Sequence, residues 1–123
     1  MNEISIIITM PKTVDWRDYK SELFKAAAGE ILNFKVSAFP TEVGPGGKCY
    51  LVHDGRIKGW HEICGFSEEE FVCTTTGKPW KGKFIQRTGP FHYLEEELPM
   101  KGFQGWRYFS YDSYVDELNN KKD

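Results

Sequence analysis

An Asp-Gly pair, Asp54-Gly55, separates two runs of strand-forming residues near the middle of the chain. The first run is 48–53 (KCYLVH) and the second is 56–63 (RIKGWHEI). A type I′ turn needs positive φ at both central residues, which Asp and Gly tolerate, so this pattern predicts a tight β-hairpin. Gly59, inside the second run, predicts a bulge or a close backbone approach. The chain is therefore expected to build a sheet around this hairpin.

The sequence before the hairpin predicts a strand, a helix and a second strand. A β-branched run at residues 4–8 predicts a buried strand. Apolar residues recur at helical spacing after Thr13 and Asp15, either of which can cap a helix, so a helix is expected over about 15–28. Residues 31–39 alternate between apolar and polar side chains, which predicts a half-buried strand.

After the hairpin, β-branched and aromatic residues predict several short strands. These strands are expected at 71–76, 84–87, 91–94 and 106–111, with a loop at 77–82 and a break at Gly89-Pro90. Tyr114, Val115 and Leu118 have the spacing of one face of a short C-terminal helix.

Six or seven short strands with one early and one late helix predict an α+β fold class. The expected architecture is a small mixed β-barrel, or pseudo-barrel, with one N-terminal helix and a short C-terminal helix. The 123 residues contain no internal repeat and no linker, so residues 1–123 are expected to form a single domain.

Charge is unevenly distributed along the chain. The formal net charge is −2, which argues against a surface that grips nucleic acid throughout. Between residues 74 and 93 there is no acidic side chain, and the four basic ones are Lys78, Lys81, Lys83 and Arg87. Glutamates at 68–70 and 95–97 flank this stretch. A local basic face is therefore compatible with the acidic total.

Cysteine usage and hydropathy indicate a reducing compartment. The chain has three cysteines, an odd number with no C-x-x-C pair, which argues against a disulfide scaffold or a zinc ribbon. The sequence shows no export signal and no run of membrane-spanning length. We expect a cytoplasmic protein without a membrane partner, either a monomer or a weak homodimer.

Residues suited to catalysis or metal binding do not occur in the required patterns. The nucleophile elbow G-x-S-x-G and the Walker phosphate loop are absent. His61 and Cys64 are three residues apart on a predicted strand, which places them on opposite faces. His53 and His61 fall in different pairs of the hairpin, so both are expected at the surface or hydrogen-bonded. The sequence therefore predicts no catalytic residue, metal or cofactor, and favours binding over catalysis.

One stretch, residues 77–83 (GKPWKGK), combines cations with an aromatic ring in a way that suits a phosphate-bearing ligand. Lysines neutralise phosphates, and an indole offers a flat face on which a base stacks. Residues 102–107 (GFQGWR) could supply the opposite wall, with an amide that reads a base edge. The predicted ligand-binding residues are Trp60, Lys78, Trp80, Lys81, Lys83, Arg87, Phe103, Gln104, Trp106 and Arg107. The alternative is that the aromatic side chains fill the barrel and the lysines are solvated turn charges.

Around the hairpin the sequence resembles the PUA-like superfamily, which includes the PUA, ASCH and EVE domains. The family's hairpin pattern falls on Tyr50, Val52, Gly55, Ile57 and Gly59, and in order of elements the resemblance covers roughly residues 31–109. It implies a small pseudo-barrel that binds RNA or a modified nucleobase in a cleft beside the hairpin. The ASCH signature G-x-K-x-x-E-x-R is absent, so no catalytic residue is carried over.

Three functions are left open by these observations. The first is a module that binds RNA, DNA or a modified nucleotide. The second is a small amidohydrolase acting on a modified nucleoside, for which Glu62 with Lys58 or Tyr50 would have to supply the base. The third is a protein-interaction domain of phage or mobile-element origin, with an apolar surface around Trp106.

Overall fold

Six strands and two helices make up the part of the chain that the computed structural model describes, namely residues 4–10, 15–72 and 79–120. In chain order they are β1 (Ser5–Thr9), α1 (Trp16–Ala27), β2 (Leu32–Val36), β3 (Lys48–His53), β4 (Arg56–Val72), β5 (Pro79–Pro99), β6 (Trp106–Phe109) and α2 (Tyr111–Asn120). The predicted α+β class, the early helix and the late helix are confirmed. Asp15 caps α1, because its carboxylate accepts a hydrogen bond from the Arg17 amide at 2.8 Å.

The strands form one mixed sheet in the order β2-β5-β4-β3-β1-β6. β1 runs parallel to β3 and antiparallel to β6, and the other neighbours are antiparallel. Val36 of β2 and Trp106 of β6 nevertheless pack against the same apolar cluster, although their strands are at opposite edges of the sheet. Strands lie about 4.8 Å apart, so a flat sheet would hold these edges far from each other. The sheet therefore curls into a half-barrel.

The hairpin has the geometry that its Asp-Gly pair predicts. Asp54 has φ 52° and Gly55 has φ 77°, and the flanking pairs are His53 with Arg56 and Val52 with Ile57. Beyond these pairs, β4 is irregular on both of its sides, with a register shift against β5 between Ile57 and Gly59. The bulge or close approach predicted at Gly59 is therefore present.

Strand β5 differs from the sequence prediction, because residues 79–99 form one long strand rather than a loop and two short strands. Thr88 pairs with Glu62 and His92 pairs with Trp60, while residues 89–91 have no partner in the register of β4. Pro90 therefore falls where the ladder needs no N–H, and the strand continues through it. The predicted strand at 71–76 and loop at 77–82 lie in part outside the described residues, but 79–82 are strand.

Two apolar clusters cover the two faces of the sheet. The inner cluster, on the concave side, contains buried residues of five strands, and Trp16 and Tyr19 of α1 pack against it; its buried members include Ile6, Ile8, Leu51, Ile63 and Ile85. The outer cluster lies on the other side, where Tyr111 and Tyr114 of α2 pack against it; its buried members are Ile7, Tyr50, Val52, Ile57 and Phe109. Alternation along β1 divides its isoleucines between the two clusters.

Two aromatic side chains of β6 hold the curl of the sheet. The indole Nε1 of Trp106 donates a hydrogen bond to the Ala38 carbonyl at 2.8 Å. The hydroxyl oxygen of Tyr108 accepts from the amides of Thr41 at 2.9 Å and Glu42 at 3.3 Å. Residues 38–42 follow edge strand β2, so these bonds join the two ends of the sheet.

Substitution of Gly59 by alanine is expected to lower the free energy of unfolding by about 2–3 kcal/mol. A Cβ at this buried position would overlap the carbonyl oxygen of His92 and lie 2.6 Å from Cε2 of Phe91. Gly65→Ala on the same strand is the matched control, since its Cβ would meet only the flexible Gln86 side chain, at 3.4 Å. Urea denaturation of both variants measures the difference, and equal midpoints would contradict the close approach.

Candidate functional site

A cavity of about 220 Å³ lies beneath α1, inside the half-barrel. Tyr19 of α1 and Arg87 of β5 contribute polar side chains to it. Thr9 of β1 and Asn33 of β2 also border it, but their side chains bond to the Phe103 amide and to Gln86. Ile8, Phe34 and Leu51 contribute to its apolar wall. We call it the α1 cavity. A mostly apolar hollow with a few convergent polar groups, at the mouth of a barrel, is the usual form of a small-molecule site.

Arg87 is the most unusual residue of the α1 cavity. Its side chain is buried, with 4 % exposure, because Arg87 comes two residues after Ile85 and faces the same concave side of β5. The guanidinium donates one hydrogen bond, from Nη1 to the Tyr19 hydroxyl at 3.2 Å, while Nε has no partner. Across the described ranges 4–10, 15–72 and 79–120, no ion pair includes Arg87. A buried cation without a counter-ion costs several kcal/mol.

His61 is a second buried polar group, and it is close enough to Arg87 for the guanidinium charge to affect its pKa. It is 1 % exposed, and neither ring nitrogen has a hydrogen-bond partner. Burial, together with the charges of Arg87 and His92, lowers the pKa of His61 to about 4, against an opposing effect of the Gly89 backbone. The imidazole is therefore neutral at pH 7, with one N–H to donate and one nitrogen to accept. The prediction of a surface or hydrogen-bonded histidine is wrong for His61, because its strand turns the ring into the inner cluster.

Acidification is expected to destabilise the fold through His61. Its pKa is about 4 in the folded state against an ordinary 6.5. The unfolded chain therefore binds the proton first, and stability that is fully present above pH 6.5 is lost as the pH falls towards 4. The loss amounts to about 3 kcal/mol at most.

Urea titrations between pH 7 and pH 4 measure this loss. His61→Gln should flatten the dependence, whereas the control His92→Gln, at an exposed imidazole, should keep most of it. An unchanged slope in the His61 variant would show that other groups carry the effect.

Those predicted ligand-binding residues whose side chains the structure describes lie on both faces of the sheet and do not form one cleft. Arg87 lines the α1 cavity, and Trp106 packs against the inner cluster. Trp60 and Phe103 pack against the outer cluster instead. Gln104 is exposed between β5 and β6.

The outer group is held by contacts within the protein. The Trp60 ring stacks on His92 with centroids 3.9 Å apart, and Lys48 Nζ lies 4.7 Å from the indole centroid. The guanidinium of Arg107 lies 4.3 Å from the centre of the Phe103 ring. These pairs are on the convex side of the sheet, away from the α1 cavity.

The lysines of the predicted basic stretch lie beside acidic residues in the sheet. The register of β4 and β5 places Glu68 opposite Lys83 and Glu70 opposite Lys81. Lys78 lies outside the described residues, and Trp80 is placed by strand register alone, opposite Phe71. Opposite charges across a strand pair attract each other, so Glu68 offsets part of the positive charge of Lys83.

Sequence reasoning did not select Tyr19, Asn33, Phe34 or His61. Tyr19 lies at the helical spacing of the apolar positions in residues 15–28, a pattern that predicts packing rather than a binding role. The sequence did contain a signal for Arg87 and His61. Arg87 comes two residues after Ile85 and His61 two residues before Ile63, so each shares a strand face with a buried isoleucine. A charged or polar residue in step with such a buried row points into a core.

Other features of the described chain offer little reactive chemistry. Burial raises the pKa of the Cys49 thiol to about 11, so this cysteine stays protonated. No cluster of three or more His, Cys, Asp or Glu side chains within the described ranges could hold a metal ion. Neither α1 nor α2 is both long and apolar enough to cross a membrane.

No protein-family model, curated protein or solved structure matches this chain. The resemblance to PUA-like domains therefore depends on the hairpin residues and the order of elements alone.

Proposed function

We propose that this domain is a binding module that takes one nucleobase, free or carried by RNA, DNA or a modified nucleotide, into the α1 cavity. The observation that carries the proposal is the buried Arg87 on the wall of the α1 cavity, whose guanidinium has no ion-pair partner among the described residues. Arginine makes the most common specific contact with a base edge. The rings of Tyr19 and Phe34 in the same wall are suited to contact a base face.

The size of the α1 cavity suits a single ring system. The cavity volume is about 220 Å³. It lies below the range of about 300–1,000 Å³ that is typical of drug-sized ligands. A base would therefore enter while its sugar and phosphate stay outside, as for bases flipped out of a strand.

Salt should affect this binding weakly. The register places Lys83 opposite Glu68, and the net charge is −2, so few phosphates would be neutralised. A contact made inside the cavity is poorly screened by ions.

The alternative functions gain no support from the described residues. Lys58 Nζ pairs with Glu97 at 3.0 Å, and Tyr50 is buried and stacked on Tyr111, so neither is placed to activate a hydrolytic base. Trp106 is half-buried and hydrogen-bonded to the Ala38 carbonyl, so its ring is not available as the centre of an apolar docking surface.

Calorimetric titration with the common nucleosides, their base-methylated forms and short single-stranded RNA and DNA tests the proposal. We expect one class of base to bind, and Phe34→Leu to weaken it by about 5- to 100-fold, as expected for one lost stacking contact. Leucine keeps the apolar volume but removes the ring face.

Trp60→Leu is the matched control, because this indole lies on the convex side of the sheet. It should leave the affinity unchanged. Binding that is lost in the Trp60 variant and kept in the Phe34 variant would move the site to the outer face. No binding of any probe at low salt would refute the proposal.

A further inference from the structure

We propose that the ligand of the α1 cavity is a small organic monoanion, with a carboxylate-type group held by the Arg87 guanidinium and its apolar body against Ile8, Phe34 and Leu51. This inference rests on the proposed function for the place of the site, and it adds the charge of the ligand.

The first argument is the distribution of ion pairs. Arg17, Lys25 and Arg56, all more than half exposed in their side chains, each have a carboxylate within 4 Å. Arg87, which is buried, has none among the described residues. Exposed pairs contribute little to stability, whereas a buried charge depends strongly on a partner. The buried guanidinium, which most needs a counter-ion, therefore has none within the described ranges.

The second argument is the count of hydrogen bonds at the guanidinium. Arginine carries five N–H donors in a planar fork. In Arg87 one is directed to the Tyr19 hydroxyl, a neutral acceptor, and Nε–H has no acceptor. Two parallel N–H groups of such a fork match the two oxygens of a carboxylate. The unused Nε–H donor and the missing negative charge both favour a carboxylate-type partner.

The third argument selects a monoanion over a phosphate. One guanidinium supplies one positive charge, and the rest of the wall is neutral: Thr9, Tyr19, Asn33 and apolar side chains. A phosphate dianion would leave a negative charge uncompensated in this apolar space. A carboxylate would be neutralised, and its ring or chain would occupy the apolar part.

His61 supplies a second reporter of charge at Arg87. The positive guanidinium is one of the causes that lower the pKa of His61, together with burial and His92. An anion bound at Arg87 would cancel part of that effect. Occupancy should therefore raise the pKa of His61, and binding near pH 5 should take up protons.

Isosteric pairs of probes that differ only in charge test the inference. Benzoate against benzamide, and orotate against its carboxamide, are titrated calorimetrically at pH 7, with uracil and inorganic phosphate as further arms. We expect each carboxylate to bind at least 10-fold more tightly than its amide, and phosphate alone to bind more weakly than either carboxylate.

Arg87→Met, which keeps the length and removes the charge, should abolish the preference for the anion. Without ligand, the Arg87→Met variant should also melt at a higher temperature than the wild type, because a buried unpaired charge has been removed. Arg87→Lys is the second variant, since it keeps the charge without the fork, and should show an intermediate preference.

The outcomes separate this inference from the proposed function. If uracil or a nucleoside binds while orotate and benzoate do not, the anion inference is overturned and the nucleobase proposal is kept. If carboxylates bind and no nucleobase does, the anion inference is kept and the nucleobase proposal is refuted. Three other results would overturn the inference. The acid and its amide could bind equally, or phosphate could bind as tightly as benzoate. The third is an Arg87→Met variant that melts at a lower temperature and keeps the preference for the anion.

Discussion

The curl of the sheet is the constraint on which the other features of this structure depend. A six-stranded sheet has two edges, and here the indole of Trp106 and the phenol of Tyr108 bond the backbone beyond β2 from the opposite edge. Once the edges are joined, the concave face encloses the inner cluster and α1 can close over it. The α1 cavity exists because side chains of β1, β2, β3 and β5 face one another across that curved interior.

Local chemistry explains what the sequence predicts well. The hairpin follows from two residues that accept positive φ, and α1 follows from Asp15 and the apolar spacing after it. The order of strands is different, because it depends on pairings between residues far apart in the chain. No local pattern shows that β1 lies between β3 and β6, or that residues 79–82 continue a strand through the predicted loop.

The candidate site shows the same division. Arg87 was selected for its charge, but its significance comes from Tyr19, which is 68 residues away and on another element. Trp60 and Trp106 were expected to share a cleft because both are aromatic and lie near glycines. Their faces depend on the register of each strand, and this separates them into the outer and inner clusters. Residue type indicated the chemistry, while the fold decided which groups meet.

The position of β1 within the sheet has a consequence for biosynthesis. This strand is synthesised before both of its neighbours, which are β3, beginning at Lys48, and β6, beginning at Trp106. β1 must therefore wait until β6 has been made before both of its sides are covered. A nascent chain with an exposed, isoleucine-rich strand is open to chaperones and to self-association, and topologies with such distant pairings fold slowly. The interior of the half-barrel is completed only after β6 has joined the sheet.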